Sequence, residues 1–526
     1  MISLQRSNIV WTAAVEAYAI SISTRRFFAL ILFFCSQILS LARPDSAEGQ
    51  QPTVILNYFP TGAEVAGRAP SLFSYLRDDL FVLIDPLDAH IVIVSSTGRI
   101  EGGSDPLSIV PTRVRATDRT IEFIEDSTGR RVALPRNVDP KQIGSLVVTD
   151  DAPEPAFAAA SVTRASAQHL QLKTDAGTAG NKTLHLRSLA GGYLSDAQYL
   201  GQDAKGRFFV QTSEVAESKP RINVKVFVQR LTATGAFDAA AAVPLAAMDV
   251  VPSRFVAIST GGEATLLLPT SKGIFLQKLQ FQDRRAGYLA PASVAPLTAI
   301  DAVIHEASLE AIAPKGLVPA ETIPHSTRAQ IIARANAYLA VNWTMTHANF
   351  EHSDIENLCS KREGKYWSRP HRFSESSIGK TFPSMPYYWG GDDTPSSFLA
   401  KIATGSLAGN VCTCREKQYD YCQVRTATGV DCSGFVSRSW GISKRGTAEL
   451  QKVGKPISVS QLRPGDVLDK PGSHVRLFVK YLPGAETKFE VLESATHLGC
   501  EGVCRSVYGA PQLQGYEPLR FVGVDD

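Results

Sequence analysis

Between Cys35 and Cys359 the chain has no cysteine at all. Neither a disulfide framework nor a cysteine-based metal site can organise its first two thirds. It also lacks a strong charge of either sign: 54 Lys and Arg against 51 Asp and Glu leave a net charge of +3, with no dense basic run. That gives no basis for nucleic-acid binding. With 20% charged and 44% hydrophobic residues, the composition excludes a disordered or fibrous chain. At 526 residues the chain is too long for one hydrophobic core, so two or three domains are expected. From 50 to 310 no cluster of His, Cys or carboxylates suggests chemistry.

The N-terminus reads as an export signal. Arg25 and Arg26 precede an apolar run from Phe27 to Leu41, and Ser40-Leu41-Ala42 offers a small-x-small cleavage site. The run is short for a membrane span but suits a signal peptide over 1–42; an uncleaved anchor is the alternative. Thr24-Arg25-Arg26-Phe27-Phe28 also carries the paired arginines of a twin-arginine signal. Cys35 follows Phe34, where a lipidation site needs a small residue. The other seven cysteines, Cys359, Cys412, Cys414, Cys422, Cys432, Cys500 and Cys504, lie in the last third. Reserving Cys432 as a thiol leaves six, enough for three disulfides with 15 possible pairings. A metal site at the close pairs Cys412/Cys414 and Cys500/Cys504 is the rival, and export favours disulfides.

From about 50 to 315 short β-type runs dominate, among them His90–Val94, Phe208–Thr212, Val224–Val228, Phe255–Ile258 and Ala264–Leu268. Similar glycine turns recur at 96–99, 127–130, 204–207, 234–236 and 271–274. A blurred repeat of this kind predicts a propeller-like all-β domain, with stacked β-sandwiches as the alternative, serving as a scaffold or binding platform. Pro314, Pro319 and Pro324 suggest a linker. Ser326 is the expected N-cap of a helix that buries Ile331, Ile332, Ala335, Tyr338 and Leu339.

Chemistry concentrates around Cys432. Gly429-Val-Asp-Cys-Ser-Gly-Phe-Val436 reads as a loop entering a helix, with Asp431 as cap and Gly441 as stop. Cys432 then occupies the first turn, where the helix dipole favours thiolate. Ser433 and Gly434 are small enough to admit a substrate near the backbone. His474 begins a strand-like run to Val479, and Phe489–Glu493 is a second such run beyond Pro483-Gly484. A hairpin centred on that turn sets His474 directly opposite Glu493, where the carboxylate can hold the imidazole in one tautomer. His497 is the backup base. Arg476 and Asp431 are read as exposed charges.

Asp-Cys-Ser-Gly-Phe-Val, Leu462-Arg-Pro-Gly-Asp-Val467, Ser-His-Val and Val491-Leu-Glu-Ser together resemble the NlpC family of bacterial cell-wall cysteine peptidases. The resemblance covers about 380–526. It implies a circularly permuted papain-like fold and cleavage of amide bonds in peptidoglycan stem peptides. It places the nucleophile on Cys432, the base on His474, the third polar residue on Glu493, and an oxyanion-binding tyrosine on Tyr387 of Tyr387-Tyr-Trp-Gly-Gly391. Two features depart from the family: Glu stands where His is frequent, and about thirty extra residues, including Cys412, Cys414 and Cys422, separate Tyr387 from Cys432.

The expected protein is thus multidomain: a signal peptide (1–42), an all-β propeller-like domain (50–315) and an α+β papain-like hydrolase domain (316–526). Its catalytic set is Cys432, His474 and Glu493, with Tyr387 and Ser433 on the oxyanion or substrate, and it needs no cofactor or metal. Its expected partners are stem peptides, with an envelope protein or glycan for the β domain. An amidase or acyltransferase on another envelope substrate, or a non-catalytic binding protein, are the alternatives.

Overall fold

Alternating Val, Ile, Phe and Thr between glycine turns builds antiparallel strands in the computed structural model. It describes 53–54, 69–149, 161–174, 182–282, 323–351 and 369–526, less 86–88, 118, 126–127, 145, 147, 271–272, 371, 412–422, 483–484 and 498. The expected signal segment, most of the expected linker and Cys35, Cys359, Cys412, Cys414 and Cys422 lie outside these residues.

Five small sheets follow one another before 283. The first holds β2 (Phe73–Arg77), β3 (Leu80–Ile84), β4 (Ile91–Ser95) and β5 (Ile100–Gly103), and the second β6 (Arg113–Ala116), β7 (Thr120–Ile124), β8 (Arg131–Pro135) and β9 (Val148–Thr149). The third is three-stranded: β10 (Ser161–Ser166), β11 (His169–Thr174) and β12 (Lys182–Arg187). The fourth holds β13 (Tyr193–Gln202), β14 (Phe208–Ser218), β15 (Ile222–Leu231) and β16 (Phe237–Val243). In each, sequential strands are neighbours, so every connection is a local hairpin. The fifth differs: β1 (Thr53–Val54) joins β19 (Gly273–Lys278), β18 (Ala264–Thr270) and β17 (Val256–Ile258). The expected runs Phe208–Thr212, Val224–Val228 and Ala264–Leu268 lie within these strands, while His90–Val94 and Phe255–Ile258 each begin one residue before theirs. The turn glycines Gly98, Gly129, Gly206 and Gly235 have φ between 74° and 89°, which explains the recurrent glycine.

After 323 the chain changes character. Helix α1 (Arg328–Leu339) is capped by Thr327 rather than the expected Ser326. Thr327 and Gln330 satisfy each other's orphan N–H groups in a capping box. Ser326 instead donates its hydroxyl to the Trp440 carbonyl. Ile331, Ala335 and Tyr338 are buried as expected, whereas Ile332 and Leu339 are only partly so. α1 packs on α2 (Cys432–Trp440), and both pack on a six-stranded antiparallel sheet. Its order is β20 (Gly454–Pro456), β25 (Glu517–Phe521), β21 (Val467–Lys470), β22 (His474–Leu482), β23 (Ala485–Ala495), β24 (Gly502–Tyr508).

The two faces of that sheet bury different things. Val475, Leu477 and Leu492 face the helices in one core. Phe478, Phe489 and Val491 face the other way and join a core with Phe209, Val224, Phe255 and Leu266 of the β region. The regions before and after the linker therefore share a hydrophobic core, and 52–526 forms one contact unit. Among the described residues no helix is long and apolar enough to cross a membrane.

Candidate active site

The helix that carries Cys432 forms as its sequence dictates. Asp431 is the N-cap in extended conformation, and its Oδ1 accepts from the Gly434 N–H at 2.6 Å. Gly441 ends the helix at φ 83°. Cys432 is its first residue, fully buried and not part of a disulfide among the described residues. Unpaired N–H groups at that end favour a thiolate. Asp431 is buried rather than an exposed charge, because its Oδ2 accepts from Lys444 Nζ at 2.6 Å and from the Gly390 N–H at 3.1 Å. Ser433 is also buried, and its hydroxyl donates to Asp431 Oδ1 at 3.1 Å. It supports the cap instead of lining open space.

The Tyr387–Gly391 segment wraps this helix start. The Val430 N–H donates to the Pro386 carbonyl and the Tyr388 N–H to the Val430 carbonyl, each at 3.2 Å. Tyr387 is thereby held beside a residue two positions before Cys432, although Tyr387 and Cys432 are 45 positions apart in sequence. Its side chain is fully buried. Two glycines permit the approach. A Cβ on Gly434 would lie 2.3 Å from the Gly391 carbonyl oxygen. Gly434→Ala is therefore expected to lower stability by about 1–3 kcal/mol, as overpacking does, measured as a lower midpoint in denaturant.

The β22–β23 hairpin supplies the next two residues, in a register that corrects the expected one. Next to the turn, Leu482 pairs with Ala485 as expected. Irregularities at Phe478/Lys480 and Tyr481/Leu482 then slip the ladder by two, so Phe478 pairs with Val491 and Leu477 with Leu492. Arg476, not His474, consequently stands across from Glu493. A slip of two preserves the face, whereas a slip of one would have reversed it. His474 and Glu493 meet on the diagonal, with Nε2 donating to Oε2 at 2.8 Å.

Glu493 is fully buried, not a solvated strand-end acid. Besides His474, its Oε2 accepts from Arg476 Nε at 3.3 Å, and its Oε1 accepts from the Tyr508 hydroxyl at 2.7 Å. His497 Nε2 lies 3.4 Å from the same Oε1. Burial alone would raise the Glu493 pKa; hydrogen bonds from His474 and His497 and the Arg476 charge outweigh it and hold it well below the carboxylate range. Burial lowers the His474 pKa against the pull of Glu493, so the imidazole is neutral at pH 7. Its Nδ1 is buried and has no hydrogen-bond partner among the described residues. Arg476, read from sequence as exposed, is buried because Glu493, the Gln512 carbonyl and two aromatic rings receive it.

A disulfide joins Cys500 to Cys504, a pairing that the sequence had left open among 15. Cys504 pairs with Glu493 across β23 and β24, and the Glu501 carbonyl between the cysteines accepts from the Tyr387 N–H at 3.2 Å. The closed loop thus abuts both the carboxylate and the tyrosine segment. His497 lies with these sulfurs in a metal-like cluster, but the disulfide occupies both sulfurs. A cavity of about 520 Å³ beside Trp343, Leu399 and Ile402 contains neither Cys432 nor His474.

Sequence reading missed Tyr508, Tyr516 and Lys444. The Tyr516 phenol lies near enough to Cys432 and Glu493 to feel both charges; burial, opposed by Arg476, pushes its pKa up to about 12. Only Arg476, sharing the strand parity of His474, carried a usable sign in the sequence.

No protein-family model matches the chain, and no curated protein does. Solved structures similar in part include a Bacteroides fragilis protein described as exported, at 7% identity and TM-score 0.22, spanning 46% of this chain and 98% of its own. A member of the DUF4221 family from Bacteroides vulgatus gives 9%, TM-score 0.21, and spans of 43% and 82%. Hsv2 from Kluyvelomyces marxianus gives 11%, TM-score 0.17, and spans of 38% and 74%. Likeness at these scores carries no argument.

Proposed function

We propose that this chain is an exported cysteine hydrolase of the NlpC type that cleaves amide bonds in peptidoglycan stem peptides. In this reading its C-terminal part is a permuted papain-like domain and its five β sheets form a propeller-like platform for an envelope protein or glycan. The observation that carries the reading is the buried His474–Glu493 pair at 2.8 Å, with His474 Nδ1 unpartnered among the described residues, on a sheet packed against the helix that begins at Cys432.

The chemistry follows from that pair. With Nε2–H engaged by Glu493, neutral His474 keeps its acceptor lone pair on Nδ1. Nδ1 takes the Cys432 thiol proton as sulfur attacks the amide carbon. The oxyanion receives the Cys432 N–H and the Tyr387 hydroxyl. Protonated His474 then gives its proton to the leaving amine, and the C–N bond breaks to a thioester. Water, deprotonated by His474, releases the acid and regenerates the thiol. Glu493 remains ionised throughout. Ser433, whose hydroxyl serves Asp431, is assigned no substrate contact. Because Cys432, His474 and Glu493 are covered from solvent, substrate must open the structure locally to reach the thiol.

Digestion of purified peptidoglycan by the full chain and by Cys432→Ala tests the proposal. Wild type is expected to release muropeptides with a new free amine on the diamino acid, and the variant none. A different new amine points to an amidase. Equal inactivity of both proteins sinks the reading for this substrate.

A further inference from the structure

Around Glu493 the donors outnumber what a simple acid–imidazole pair requires. Oε2 is shared by His474 and Arg476, and Oε1 is reached by Tyr508 and His497. Four groups from two strands, β22 and β24, and one turn thus fill both oxygens, and the carboxylate cannot rotate without breaking at least one bond. Arg476 is itself fixed. Its guanidinium lies 3.8 Å from the Tyr508 ring centre and 4.6 Å from that of Tyr516, and Nη1 donates to the Gln512 carbonyl at 3.1 Å. Gln512 in turn donates through Nε2 to the Pro252 carbonyl at 2.9 Å, in the β region.

We propose that Arg476 and Tyr508 are positioning residues that lock the Glu493 carboxylate, and through it the Nε2–H tautomer of His474, leaving Nδ1 as the accepting nitrogen. The role of that nitrogen rests on the hydrolase reading; the lock itself does not. An ion pair between buried groups gains only when geometry is fixed and the remaining lone pairs are satisfied, and both conditions hold here. Guanidinium stacked on an aromatic ring cannot be replaced by an ammonium, which lacks the planar fork. The other charged or titratable groups facing this cluster are His497, Tyr516 and Lys470, which pairs with His474 across β21 and β22. Asp249 lies near Lys470, and Cys432 near Tyr516.

The test uses the imidazole NMR signals of His474 in the full-length protein, which need no substrate. Wild type should show the Nε2–H tautomer and a titration midpoint below 6.5. Arg476→Met removes the positive charge opposing protonation and should raise that midpoint by about one pH unit. Tyr508→Phe keeps the ring against Arg476 and removes only the hydroxyl; it should mix the two tautomers while leaving the thermal midpoint near wild type. Arg476→Lys should restore the midpoint but not the single tautomer. If Tyr508→Phe folds and His474 keeps both its tautomer and its midpoint in every folded variant, the lock is disproved. A shifted imidazole in a protein that leaves peptidoglycan intact would instead defeat the hydrolase reading and retain the lock.

Discussion

Glu493→Ala is expected to destabilise the protein by about 3–5 kcal/mol, because it strands the partners of a buried charge. Arg476 would lose its carboxylate partner while remaining enclosed by Tyr508 and Tyr516, and His474 Nε2 and the Tyr508 hydroxyl would lose acceptors. Denaturant titration at neutral pH measures the loss. A change below about 1 kcal/mol would show that the four donors do not depend on the carboxylate. The same group governs acid stability. The folded pKa of Glu493 lies well below its unfolded value of 4.5, so its contribution is complete above 4.5 and is lost as pH falls through the folded value. His474 acts with the same sign: folded below 6.5, it is stabilising above 6.5 and costs stability as the unfolded chain takes up a proton in acid. Wild-type stability should therefore decline from about pH 6.5 downward and continue to decline below 4.5. In Glu493→Ala the second part of that decline should become shallower, with Asp393 among the carboxylates that still contribute to it, and the first should remain.

The second large effect concerns activity. His474→Ala is expected to lower kcat/KM on the amide substrate by about 10²–10⁴, the usual worth of a positioned general base. The loss should fall on kcat, since Nδ1 acts only as the proton moves. His497 provides the internal comparison. It reaches Glu493 Oε1 at 3.4 Å from a partly exposed position, whereas His474 is buried on the strand behind the Cys432 helix. His497→Ala should therefore cost less than His474→Ala. Steady-state kinetics on a purified stem peptide decide between them. The reverse order would move the base to His497, and wild-type kcat/KM in His474→Ala would remove His474 from the mechanism.

How much of this was legible beforehand varies with the range of the interaction. The helix at Cys432, its Asp431 cap and its Gly441 stop follow from residues within ten positions of each other, and local chemistry fixes them. The strands of the β region follow from runs of Val, Ile, Phe and Thr between glycine turns for the same reason. The Ser326 cap was misplaced by one residue, because Thr327 and Ser326 are equally good caps in isolation and only Gln330 separates them.

The candidate site divides along the same line. Sequence alone determined that Cys432 opens a helix; the shared sheet face of His474 and Glu493 rested on an assumed hairpin register and holds because the net slip is even. Tertiary structure decided the rest. Two irregularities in one ladder moved Arg476 opposite Glu493 and made the His474 contact diagonal. Burial turned Arg476 and Asp431 from supposed surface charges into paired interior ones. Tyr508, Tyr516 and the Pro252 buttress enter from distant strands and from the β region. No short sequence pattern encodes such partners, because a desolvated carboxylate gathers its donors in space, wherever along the chain they originate.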